Sequence, residues 1–207
     1  MADDIQAVIW DMGGVLIRGK DRSHRERLAQ RLGMERAALE DLVFNTDTSR
    51  LCLLGKISET EAWDRVGDEI GLHGEALAQA RKEFFSGNEM DAPLVDLIDN
   101  LRPKYKTGLL SNAWAGTREA LGTRYAFLHV FDVSIFSDEE GLIKPDAAFY
   151  RLILNRLDVE SEHAVFIDDK EKNVIAAREL GMAGIHFRDR EQMMNELVTL
   201  LPGIPQG

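Results

Sequence analysis

The chain is 207 residues long, 44% hydrophobic and 29% charged, and its 25 Lys and Arg against 36 Asp and Glu give a formal net charge of −11. That balance suits one soluble globular domain, or one domain carrying an insertion, and not a disordered chain. The acidic excess opposes nucleic acid and anionic membrane as partners, although a local cationic pocket or a bound metal can still receive a small anion.

The first residues, Met1-Ala-Asp-Asp-Ile-Gln6, lack the basic start and apolar run of a secretory signal. Ile5 to Trp10 is a short apolar run that stops at Asp11, as a buried strand does, and Met12-Gly13-Gly14 breaks it into a loop. From Asp21 to Phe85 the period becomes helical. Leu28, Leu32, Leu39, Leu42 and Val43 recur at helical spacing, Ser58-Glu-Thr-Glu61 has the form of a capping box, and Trp63, Val66 and Ile70 follow on one face. This stretch reads as a small helical subdomain inserted after the first strand. Cys52, the only cysteine, rules out an intrachain disulfide and a thiol zinc cluster and fits a reducing compartment.

Alternation of element types resumes after Asp91-Ala-Pro93, a helix start. Leu94–Leu101 reads as helix, Thr107–Leu110 as a strand ending at Ser111-Asn112, and Val130–Phe136 as another strand. Asp146–Leu157 reads as helix with Asp146 as its N-cap, and Ala164–Ile167 as a strand ending at Asp168-Asp169. Asn173–Leu180 reads as helix, Ala183–Phe187 as the last strand and Glu191–Leu201 as the last helix, with a frayed tail over Pro202–Gly207. Strands alternating with helices imply a parallel sheet covered on both faces. No apolar stretch approaches the roughly 20 residues of a membrane helix, so the expected location is the cytoplasm.

Four polar groups follow apolar strands or sit in adjacent loops: Asp11, Ser111-Asn112, Lys144-Pro145-Asp146 and Asp168-Asp169. In an open parallel sheet the carboxyl ends of the strands share one edge, where ligands bind. The set holds a carboxylate for attack, a hydroxyl and an amide as donors, a lysine, and an acidic pair able to hold a hard cation. Each also has a plainer reading. Asp11 could be a turn residue, Ser111-Asn112 and Asp168-Asp169 helix caps, and Lys144 a solvated side chain. Trp114 could line a pocket or simply pack; Asn45, Arg50 and Trp63 could touch substrate, with Trp63 better placed as core. The five histidines show no metal spacing and read as structural or surface residues.

Taken together, Val8-Ile-Trp-Asp-Met-Gly-Gly-Val-Leu16, Leu109-Leu-Ser-Asn112, Gly141-Leu-Ile-Lys-Pro-Asp146 and Val165-Phe-Ile-Asp-Asp169 with Asn173-Val174 resemble the haloacid dehalogenase-like hydrolase superfamily, in the branch with a helical cap between the first two motifs. The resemblance implies a three-layer Rossmann-like α/β fold, with a catalytic core over 1–17 and 92–207 and an all-helical cap over 18–91. It implies Asp11 as a nucleophile forming an aspartyl-phosphate, and Mg²⁺ held by Asp11, the Gly13 carbonyl, Asp169 and Asp168. Ser111 would donate to a phosphoryl oxygen with help from Asn112, and Lys144 would neutralise charge on the transferring group. The substrate would be a small phosphorylated metabolite. Phosphatases of this family usually carry a second aspartate where this chain has Gly13, so the side-chain general acid, typically worth ~10²–10⁴-fold, is missing. A good leaving group such as an anomeric sugar phosphate, a water or a cap residue would compensate. Carbon–halogen hydrolysis by the same aspartate and a non-catalytic binding role remain the alternatives.

Overall fold

The computed structural model describes residues 5–19, 21, 23–201 and 203–204. The readings of Met1–Asp4 and of most of the Pro202–Gly207 tail fall outside the described residues.

Ala7–Trp10 forms β1, and all four residues are fully buried. A strand buried on both faces needs parallel neighbours and helices above and below. It has both. The sheet also contains β4 (Lys106–Ser111), β5 (Val133–Phe136), β6 (Ala164–Asp168) and β7 (Ala183–His186), in the order β5-β4-β1-β6-β7, all pairs parallel. Side chains alternate across it. Val8, Trp10, Leu109, Val165 and Ile167 join Leu94, Ile98, Met193 and Leu197 in one core, beneath α6 (Ala92–Leu101) and α11 (Arg190–Leu200). Ala7, Ile9, Leu110 and Phe166 join Phe149, Ile153 and Ala177 in the other, beneath α9 (Ala147–Leu157) and α10 (Glu171–Glu179). The result is a three-layer α/β fold with a helical insertion.

The insertion is α1 (Ser23–Arg31), α2 (Arg36–Phe44), α3 (Asp47–Leu53), α4 (Glu59–Ile70) and α5 (Gly74–Ser86). Leu28, Leu39, Val43, Cys52, Trp63, Val66, Leu77 and Phe84 build a third apolar cluster there, which Trp114 from the loop after β4 also enters. Ser58 caps α4 by accepting from the Glu61 N–H, and Asp91 caps α6 by accepting from Leu94. No helix among the described residues is long and apolar enough to cross a membrane.

The structure corrects several boundaries. The strand expected over Val130–Phe136 is only β5; Leu128–Val130 is a 3₁₀ turn. Asp132 explains the break, because its carboxylate accepts from the Thr107 N–H and hydroxyl and so anchors the entry to the strand. The helix expected from Asn173 starts at Glu171, and the last strand stops at His186. Several short elements escaped the periodic reading. β2 (Ile17–Gly19) and β3 (Asn88–Met90) form a short antiparallel ribbon at the two ends of the helical insertion. Helix α7 (Thr117–Arg124) buries only Leu121.

Candidate active site

Because every strand of the sheet runs the same way, the residues at their carboxyl ends meet at one edge. Asp11 follows β1, Ser111 closes β4, Asp168 closes β6, and Lys144 comes from the loop after α8 (Ser137–Glu140). Lys144 Nζ lies 2.5 Å from Asp11 Oδ1 and 2.7 Å from Asp168 Oδ2, with all three side chains buried. A lone buried charge would be prohibitively costly, whereas this chain of three is mutually compensated in part. Burial disfavours the Lys144 ammonium, but Asp11 and Asp168 outweigh it and hold its pKa above that of ordinary lysine. Burial pushes Asp11 up to about 7; Lys144 pulls it down, and Asp168 and Asp169 push it back.

Asn112 fixes Lys144 through the backbone. Its Nδ2 donates to the Lys144 carbonyl at 3.0 Å and its Oδ1 accepts from the Lys144 N–H at 2.8 Å. The Asn112 amide is therefore occupied, and neither Ser111 nor Asn112 caps a helix, since α7 begins at Thr117 with Gly116 before it. Ser111 is buried and its Oγ has no hydrogen-bond partner among the described residues.

Asp168 and Asp169 differ in their surroundings. The Lys170 N–H and Asn173 Nδ2 reach Asp168 Oδ1, while Asn173 Nδ2 and Lys144 Nζ reach Oδ2, which fills the acceptor capacity of the carboxylate. Asp169 Oδ1 is buried with no partner among the described residues, and burial and then the Asp168 charge raise the Asp169 pKa. Carboxylate oxygens of Asp11, Asp168 and Asp169 lie within 4.8 Å of one another, a spacing that can hold a cation. Gly14 makes room for this. At φ +90 it adopts a backbone that L side chains avoid, and a Cβ there would stand 2.2 Å from Asp169 Oδ2. Gly13 faces open space at its Cβ position.

Two residues gain roles that the sequence did not reveal, Asn173 and His186. Asn173 bridges both oxygens of Asp168, and its carbonyl accepts from the Tyr150 hydroxyl at 2.9 Å. Its position one turn into the helix after the acidic pair was the available signal. His186, read as structural or surface, closes β7 and donates from Nε2 to the Asp169 carbonyl at 3.0 Å. Trp114 packs, with its Nε1 donating to Ser49 Oγ at 3.3 Å, and Trp63 is core. The Asn45 side chain donates to Asp41 within its own helical segment.

A family model described as haloacid dehalogenase-like hydrolase matches residues 5–181. A sesquiterpene phosphatase of Aspergillus oryzae is 29% identical over 97% of this chain and 99% of its own length. A D-ribitol-5-phosphate phosphatase of Bacteroides thetaiotaomicron is 27% identical over 95% of this chain and 98% of its own. The fold superposes with a TM-score of 0.75 on a crystal structure of a HAD family enzyme from the same bacterium, in complex with magnesium and inorganic phosphate, at 23% identity over 91% of this chain and 98% of that one.

Proposed function

The chain belongs to the haloacid dehalogenase-like hydrolase family, and from that premise we propose that it is a Mg²⁺-dependent phosphomonoesterase whose Asp11 attacks a small phosphorylated metabolite. One observation carries this reading: the buried Asp11–Lys144–Asp168 chain with an unbonded Asp169 oxygen beside it. Three carboxylates against one ammonium favour a hard divalent cation, and the orphaned Asp169 Oδ1 is a buried acceptor in need of a partner. The two near-full-length relatives are both phosphatases, and the solved neighbour holds magnesium with phosphate.

When bound, the ion supplies charge neutralisation that lets an anionic attacker approach an anionic phosphoryl group. Asp11, the Gly13 carbonyl and Asp169 would hold it; Asp168, with its acceptors filled, would reach it through water. In the first step an Asp11 oxygen forms a bond to phosphorus, the ester P–O bond breaks, and the leaving oxygen takes a proton. In the second, water attacks phosphorus, the aspartyl P–O bond breaks, and inorganic phosphate leaves with Asp11 restored. Lys144 orients Asp11 and faces the charge of the transferring group, and the Ser111 hydroxyl, free of other partners, donates to a phosphoryl oxygen. Asn112 and Asn173 act as positioning residues, one on the Lys144 backbone and the other on Asp168. In this reading 18–91 is the cap and 1–17 with 92–207 the core, as in the capped branch of the family.

Gly13 leaves no carboxyl acid for the leaving group, which favours substrates with acidic leaving groups, anomeric sugar phosphates among them. A graded series of aryl phosphates tests this: with chemistry rate-limiting, kcat should fall steeply as leaving-group pKa rises, and a flat response contradicts it. EDTA should abolish turnover and added Mg²⁺ restore it; absence of phosphate hydrolysis together with EDTA-insensitive turnover of a haloacid points instead to metal-free attack on carbon.

A further inference from the structure

Beside the acidic triad lies a cavity of about 620 Å³, whose lining includes Gly14, Arg18, Asp169, His186, Phe187 and Arg188. That volume is typical of a small-molecule site. Asp169 belongs both to this wall and to the triad, and Gly14 presses against its carboxylate, so the cavity adjoins the site described above.

Its electrostatics run against those of the whole molecule. The chain carries −11, yet Arg18 and Arg188 line this cavity, and Arg190 shares the Asp91 carboxylate with Arg18. Buried Asp91 accepts Arg18 on Oδ2 and Arg190 on Oδ1, so two guanidinium groups share one carboxylate and one positive charge is left over. The Arg18 guanidinium also stacks over the Phe187 ring at 5.3 Å, and its buried Nε–H has no acceptor among the described residues. It is therefore a fixed cation with a donor unfilled. Pinning the β2–β3 ribbon and α11 to the start of α6 would account for the contacts with Asp91. It would not account for Arg188, whose side chain is 68% exposed and whose nearest ion-pair partner, Glu196, is 3.9 Å away. Among the described residues, the one carboxylate in the cavity wall is Asp169, which the functional reading assigns to the cation.

We infer that this cavity receives a second anionic group, carboxylate or phosphoryl, of the same substrate whose phosphoester is attacked by Asp11. The inference rests on the phosphomonoesterase reading and narrows it to substrates with two anionic ends. Arg188 and Arg18 grip the far end through charge-assisted hydrogen bonds, which are stronger than neutral ones and suited to planar or tetrahedral oxyanions.

Calorimetry with non-hydrolysable probes tests it on the Mg²⁺-loaded full chain. The probes are ω-phosphonocarboxylates of two to four carbons and alkylphosphonates of equal length, titrated into the native protein, Arg188→Glu and Arg188→Lys. The phosphonocarboxylate of the right length should bind about tenfold or more tighter than its alkyl counterpart. Arg188→Glu should abolish that preference and Arg188→Lys retain most of it. Binding of both series with equal affinity, or a preference that Arg188→Glu leaves unmoved, overturns the second-anion site while leaving the phosphatase reading intact. Binding of neither series removes both.

Discussion

Asp11 lies between opposing demands: burial and two neighbouring carboxylates favour its protonated form, and Lys144 favours the ionised one. With its pKa raised to about 7, the metal-free protein loses the ionised form as pH falls through that value. A metal ligand must be ionised, so Mg²⁺ binding should release a proton below about pH 7 and weaken by up to about tenfold per pH unit there. Above that pH the affinity should level off. Calorimetry in buffers of different ionisation enthalpy measures both quantities, and an affinity constant across about two units either side of neutrality contradicts the assignment. The two adjacent glycines make opposite predictions. Gly14→Ala puts a Cβ 2.2 Å from Asp169 Oδ2 at φ +90, which should cost on the order of 1–3 kcal/mol of stability and weaken metal binding. Gly13→Asp enters open space, so it should leave the melting temperature nearly unchanged and raise turnover of poor leaving groups, by up to the ~10²-fold at the low end for a general acid.

At the scale of elements, the helical insertion meets the sheet domain where α3 packs on α8. Gly55, at φ +65 in the turn after α3, lies so close to α8 that a Cβ would stand 2.1 Å from the Asp138 carbonyl oxygen. Trp114 reaches from the loop after β4 into the insertion's apolar cluster. Asp138 sits in this junction with a buried Oδ1 that has no partner among the described residues, and burial, then Glu139, lift its pKa to about 6. An acid whose pKa rises on folding is stabilising only while protonated, so its contribution fades as pH climbs from about 4 to about 6 and stays lost above. Asp138→Asn should therefore raise the melting temperature at pH 7.5 and change it little at pH 4; an equal shift at both would show that its charge is not the cause. Little of this junction was legible beforehand. Helices α1, α2 and α4 announced themselves through apolar residues at helical spacing and the Ser58 cap, while α3 and α5 were read only as part of one helical stretch, and the docking rests on a glycine and a tryptophan with no pattern around them. The β2–β3 ribbon has three residues per strand, too few for alternation to register, and α7 buries one residue.

Across the whole molecule, the site was the most readable part and its wiring the least. A parallel strand buried on both faces must be apolar to its end, so the first polar residue after it marks the sheet's carboxyl edge; Asp11, Ser111 and Asp168 were visible for that reason. Which of them touches which depends on strand order, and β1 lies between β4 and β6 only in the folded chain. Hence Lys144, 133 residues from Asp11, appeared as a candidate without its partners, and Asn173 and His186 appeared with no role. The cationic cavity was hidden for the same reason, because Arg18 and Arg188 are distant in sequence and the net charge pointed the other way. In the proposed reaction Asp11 becomes phosphorylated. Quenching the enzyme during turnover of an aryl phosphate with Mg²⁺, reducing with borohydride and sequencing the peptides by mass spectrometry tests it directly. Reduction of Asp11 to its alcohol, absent without substrate and absent in Asp11→Asn, is the predicted result. Sustained turnover by Asp11→Asn, or modification at a different carboxylate, would contradict it.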